Sequence, residues 1–158
     1  MQGKSKKILG YAGEYFVAAR LSLMGYLVAL TPKGAPQIDL LVYDSEKNRT
    51  TAIQVKTITQ EWVLLTQATK DTLDKKLEEK VKNPFVIVHS SNDWRKTEFY
   101  IVPPRDLRNL AKKAYLSWLE KSKHKKPREK IEKSQQPLMV SITDLKPYIE
   151  KWENIWIT

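Results

Sequence analysis

The stretch that most restricts the fold is IDLLVYDSEKNRTTAIQVKTI, residues 38–58. Ile38 to Tyr43 is apolar nearly throughout, the pattern of a strand buried on both faces. Asp44 to Arg49 is a polar hairpin connection, and Thr50 to Ile58, rich in β-branched residues, returns antiparallel. Two strands paired across one turn commit this part of the chain to a sheet. One acid, Asp39, enters the buried strand, where a lone charge is costly unless something pairs with it.

The elements around this hairpin follow from periodicity. Apolar residues at Ile8, Ala12, Tyr15, Phe16, Ala19 and Leu23 predict a helix from about Lys4 to Met24, with Gly25 where a C-terminal cap belongs. Tyr26 to Thr31 is a short β-type run, and Pro32, Gly34 and Pro36 mark a turn. Trp62 to Leu65 is extended. Leu73, Leu77 and Val81 give Lys70 to Lys82 one apolar face. Pro84 to His89 and Glu98 to Val102 are two more strands, joined by the polar turn SSNDWRK, and Pro103 with Pro104 ends the sheet. A helix from Asp106 to about Glu120 is expected to bury Leu107, Leu110, Ala111, Ala114, Tyr115 and Trp118. Residues 121–137 lose apolar content and read as an arm; a strand, PLMVSI, follows, and then a last helix from Thr143 carrying Leu145, Tyr148, Ile149, Trp152 and Trp156. The fold class is therefore α/β, a mixed central sheet flanked by helices, with an extra C-terminal strand and helix. Strands one to three form a meander, and the helix before the next strand permits a parallel crossover. Residues 1–120 form the core, and residues 121–158 supply a basic arm plus a strand and helix packed on the same domain.

The chain of 158 residues fits one domain with a real core. It has no Cys, which excludes a disulfide framework, a thiol nucleophile, thiolate zinc sites and iron–sulfur ligation, and makes a reducing cytoplasm the simplest compartment. The basic N-terminus is interrupted by Gly10, Gly13 and Glu14, so neither a signal peptide nor a membrane span fits. With 28 Lys and Arg against 18 Asp and Glu, the formal charge is +10, and a polyanion is the first partner to expect. Lys4, Lys6 and Lys7, together with Lys125, Lys126 and Arg128 in the arm, are the candidate phosphate contacts. His89 has no second His at metal-ligand spacing and reads as a strand-end histidine, His124 lies among lysines and is expected in solvent, and Ser90 and Ser91 lack the setting of a nucleophile.

Gln54 and Lys56 lie two apart on a strand and so share a face, while Val55 points the other way. If the hairpin brings Asp39 beside them, a carboxylate, an amide oxygen and an ammonium converge. Carboxylate and amide are hard oxygen ligands suited to Mg²⁺, and a lysine there can orient water against phosphate. At these residues the chain resembles the PD-(D/E)XK nuclease superfamily, in its resolvase and Mrr-like branches. KGAPQIDLLV followed by AIQVKT carries the likeness, which spans roughly residues 4–102. The resemblance implies a restriction-endonuclease-like fold and a metal site of Glu14, Asp39, Gln54 and the Val55 carbonyl, with Mg²⁺ or Mn²⁺ as the ion. It also implies Lys56 at the attacking water, and hydrolysis of DNA, duplex or branched. Two departures stand out: Gln37 and Ile38 separate Asp39 from Pro36, and the middle carboxylate of the motif is Gln54. These favour an alternative, a catalytically inactive module of the same fold that binds nucleic acid or a protein. A third reading is a basic assembly protein whose Trp-bearing last helix makes a homodimer.

Overall fold

In the computed structural model, which describes residues 5–32, 35, 37–91, 93–122 and 132–158, helix α1 runs from Lys6 to Leu23. Its end is set as expected: the Met24 N–H bonds back to Arg20 and Leu21, and Gly25 takes φ +91°, a conformation glycine adopts without strain. Its inward face differs from the expectation. Gly13, Val17 and Leu21 are the buried ridge, whereas Ile8, Tyr15 and Leu23 are exposed. Close approach explains the rotation. A Cβ at Gly13 would overlap the side chain of Thr57, so the bare glycine lets the helix backbone rest directly on the sheet.

Strands β1 (Leu27–Leu30), β2 (Leu40–Asp44) and β3 (Arg49–Ile58) form the expected antiparallel meander, with Leu27 opposite Tyr43 and Leu40 opposite Ile53. The turn between β2 and β3 is closed by Asp44, whose buried carboxylate accepts from the Lys47 N–H and the Arg49 Nε. Strand β4 (Trp62–Ala68) and helix α2 (Leu73–Lys80) then carry the chain to β5 (Phe85–His89). That crossover makes β5 parallel to β3, with Gln54 opposite Phe85. Strand β6 (Glu98–Val102) pairs antiparallel with β5, giving the order β1-β2-β3-β5-β6.

Helix α3 (Pro104–Ser122) opens on its proline, which needs no hydrogen-bond acceptor in a first turn. Trp118, expected in the buried stripe, is 40% exposed. Strand β4 leaves the main sheet and pairs with β7 (Gln136–Ser141) as a separate two-stranded sheet, so the described residues form two sheets rather than one. The expected long C-terminal helix is not formed. In its place are a short helix α4 (Ile142–Leu145) and 3₁₀ turns at Lys146–Tyr148 and Trp152–Trp156. Pro147 removes an amide donor two residues after α4, and Glu150 takes φ +54°, so the helical period could not propagate.

Two apolar clusters lie on opposite faces of the main sheet. Val17 and Leu21 of α1 meet Leu40, Val42, Ile53, Val86, Val88 and Ile101, closed by Trp152 and Ile155. On the other face, α2, α3 and the β4–β7 pair cover β3, β5 and β6. Strand β5 is accordingly buried on both faces. Strand β2 is not: Leu40 and Val42 are buried, but Leu41 is 43% exposed, because among the described residues no helix covers that face at this end of the sheet. No helix among the described residues is long and apolar enough to cross a membrane.

Candidate active site

The site is built where two strands part. Pairing of β2 with β3 stops at Leu40 and Ile53; just before it, the Asp39 N–H donates to the Ile53 carbonyl at 3.0 Å. The approach to Asp39 is held on both sides. Thr31 donates from its backbone to the Asp39 carbonyl at 3.0 Å and from its hydroxyl to the Ile38 carbonyl at 2.7 Å. Asn83 donates to the carbonyl of Gln37, which sits at φ +64°. A fixed backbone aims the Asp39 carboxylate at β3, where Oδ2 accepts the Val55 N–H at 2.7 Å.

The alternation of β3 explains what Asp39 meets. Gln54 donates its N–H toward β5, to the Pro84 carbonyl at 3.0 Å, so Val55 turns its N–H and carbonyl to the opposite edge. That edge is the one β2 has left, and the Asp39 carboxylate fills its first position. Burial pushes the Asp39 carboxyl above the usual carboxylate range, only partly opposed by the Val55 N–H bond and the nearby Lys56 charge. Among the described residues the acid is held by one hydrogen bond and one nearby cation, midway along β3, with a second carboxylate oxygen left to bind something else.

Gln54 and Lys56 face the other helical layer, as their spacing predicts, and line a cavity of about 330 Å³ with Gln37, Leu64 and Lys80. The Gln54 Oε1 is buried with no hydrogen-bond partner among the described residues. Such an oxygen is rare in a folded protein, since it has given up water without compensation. A donor or a cation arriving in the cavity would satisfy it.

The structure thus bonds Asp39 to the Val55 N–H with the Lys56 charge nearby, and sets Gln54 and Lys56 in one cavity. Glu14 is half-buried on α1. Its neighbour Gly13 abuts Thr57, which alternates to the sheet face opposite Lys56, so α1 packs on the layer opposite Gln54 and Lys56. Among the described residues no three His, Asp or Glu side chains cluster as metal ligands. Any cation here would have to use the amide of Gln54 or the backbone as well as carboxylates. Lys6 and Lys7 are exposed in the first turn of α1, while Lys4, Lys125, Lys126 and Arg128 lie outside the described residues. His89 faces Glu98 at 3.4 Å, and Glu98 also accepts from the Tyr100 hydroxyl at 2.7 Å, away from this site. A larger cavity, about 510 Å³ between α3 and the β4–β7 pair, is lined by Trp62, Tyr115 and Trp118 and contains none of these residues. Sequence reasoning missed Lys76 and Lys80. They are one turn apart beside the Leu73–Leu77 stripe, but nothing in the sequence shows what that flank of α2 overlooks.

No protein-family model and no curated protein matches the chain. Among solved structures, it is similar to the bacterial homing endonuclease I-Ssp6803I, at 16% identity and a TM-score of 0.47, over 64% of this chain and 70% of that one. It is also similar to Hjc, a Holliday junction resolvase from the archaeal hyperthermophile Archaeoglobus fulgidus, at 11% identity and a TM-score of 0.49, over 94% and 97% of the two chains. The chain's own elements are a helix, an antiparallel meander, a crossover helix and a parallel strand, and they come in the order that the sequence resemblance implies.

Proposed function

We propose that the chain is a metal-dependent nuclease domain that hydrolyses DNA phosphodiester bonds. One observation carries the reading: at the point where β2 and β3 part, midway along β3, the Asp39 carboxylate is held 2.7 Å from the Val55 N–H, between Gln54, whose Oε1 has no hydrogen-bond partner among the described residues, and Lys56 in the strand. The donors are all hard oxygens, which fits Mg²⁺ or Mn²⁺ and not a thiolate-seeking metal. Asp39, Gln54 and the Val55 carbonyl would hold the ion, with Glu14 completing the set directly or through water. When bound, the ion would polarise a phosphate oxygen and lower the pKa of water. The chain's own part is positional. Lys56 orients the attacking water and offsets charge on the phosphate oxygens as the new P–O bond forms and the old one breaks. Asp39 braces the stretch of β3 on which Lys56 stands.

The formal charge of +10 supports a DNA substrate, duplex or branched, and the absence of Cys supports the cytoplasm. We read residues 1–120 and 121–158 as one folding unit, since Leu138, Val140, Trp152 and Ile155 all enter the clusters of the core. A homodimer would have to form through a surface other than Trp152, which is 5% exposed. The test is cleavage of single-stranded, duplex and branched DNA with Mg²⁺ or Mn²⁺, beside Asp39→Ala purified identically. Cleavage by the native chain alone supports the proposal. If neither cuts and both bind DNA with equal salt dependence, the fold serves as a binding module and the proposal is lost.

A further inference from the structure

The cavity that holds Gln54 and Lys56 does not end at Lys56. A second one, of about 470 Å³, shares Lys56, Leu64 and Leu65 with it and continues past Thr66 to Lys76 of α2. Together they form a groove with β3 as floor, β4 as one wall and α2 as the other. The irregularity of β4 shapes it. Pairing with β7 slips between Leu64 and Thr66, so the neighbours Leu64 and Leu65, which a regular strand would turn to opposite sides, both border the groove.

Its charged lining is cationic: Lys56 on the floor, Lys80 beside the first cavity and Lys76 beside the second. The nearest acid on the same helix is Glu79, 3.5 Å from Lys76 in a pair about 40% exposed on both sides, which is weak enough to exchange for another anion. Lys76 and Lys80 are four residues and so about 6 Å apart along the helix. That is close to two steps of a stacked nucleic-acid strand, at about 3.4 Å each. Each cavity has the volume of a site for a small ligand, the scale of a nucleotide rather than of a duplex.

We infer that this groove is a track for a single nucleic-acid strand, in which Lys80 and Lys76 hold backbone phosphates on either side of Lys56 and the β4 bulge packs Leu64 against sugar or base. The inference deepens the proposed function and rests on it for the place of the reacting phosphate, but its test does not depend on cleavage. Binding of a labelled oligothymidylate is measured by fluorescence anisotropy in EDTA across a series of salt concentrations, for the native chain, K76Q/K80Q and a control, K47Q/K151Q, whose lysines are exposed outside the groove. Each phosphate contact on a single strand contributes about 0.7 to the salt slope, so K76Q/K80Q should lower the slope by about 1.4 and the control should leave it unchanged. A native slope in K76Q/K80Q, or an equal fall in the control, overturns the track even if the chain cleaves DNA. A fall for duplex but not for single strand overturns the strand assignment. The expected fall in a chain that cuts nothing with any metal keeps the track and removes the nuclease.

Discussion

Two glycines on α1 allow the seating of this helix to be measured. At Gly10 an added Cβ meets nothing within 4 Å; at Gly13 it overlaps Thr57 Oγ1, with Thr57 Cβ at 3.1 Å and Cγ2 at 3.3 Å behind it. Both changes to alanine bring the same gain in helix propensity, about 1 kcal/mol. Only Gly13→Ala also forces α1 off β3, an overpacking cost of about 1–3 kcal/mol. Gly10→Ala should therefore raise the melting temperature by about 2–4 °C for a chain of this length. Gly13→Ala should fall anywhere from unchanged to about 2 kcal/mol less stable, a gap of about 1–3 kcal/mol between two chemically identical substitutions. Thr57→Ala removes the overlapping atom and should restore part of the loss in a double variant, so the two changes couple instead of adding. Urea unfolding of the native chain, the three single variants and the double variant measures all of this. Equal stabilisation by Gly10→Ala and Gly13→Ala would refute the close seating, and with it the account of why α1 turns Gly13, Val17 and Leu21 inward.

Other outcomes follow from the site and the core. Because burial raises the Asp39 pKa, the folded state favours its protonated form; that stability is fully present below about pH 3.8 and lost as pH rises through the folded value. Asp39→Asn should thus melt higher than the native chain at neutral pH, match it in strong acid and cleave no DNA; a lower neutral melting point would contradict the burial argument. Gln54→Glu should bind Mg²⁺ more tightly by calorimetry while destabilising the metal-free protein, because it puts a charge where an unpartnered amide oxygen now sits. Lys56→Ala, at an exposed position, should abolish cleavage with stability changed by less than about 0.5 kcal/mol in urea. Trp152→Ala should cost about 3–5 kcal/mol, since the ring is buried against Phe99 and its Nε1 donates to Glu150 at 2.8 Å. Sedimentation of that variant should report unfolding rather than the loss of a dimer.

Much of this architecture is written locally. Alternation in Thr50–Ile58, the β-branched content of the strands and the punctuation at Gly25 and Pro104 each depend on a few neighbouring residues, and each element appears where those residues put it. The common face of Gln54 and Lys56 is equally local, since a strand repeats every two residues. What sequence could not decide is which of two plausible faces an element buries. On α1 the large side chains Ile8, Tyr15 and Leu23 look like a core stripe, yet the sheet takes Gly13, where the absence of a side chain allows contact. On the C-terminal segment the spacing of Leu145, Tyr148, Ile149 and Trp152 is helical, but Pro147 breaks it and tertiary packing still buries Leu145 and Trp152 on opposite faces of the sheet.

The chain by itself determined that a strand starts beside Asp39, at Leu40 rather than at the expected Ile38, that Gln54 and Lys56 look the same way, and that the balance of charge is basic. These are consequences of covalent order and a two-residue repeat. Only the tertiary structure decided that β2 stops pairing at Asp39, leaving the edge of β3 open for its carboxylate to accept the Val55 N–H. It alone decided that β4 deserts the main sheet for β7 and that α2 presents Lys76 and Lys80 over Lys56. Those arrangements join residues far apart in the chain, and they are set by which apolar surfaces bury one another, a choice that no local pattern encodes.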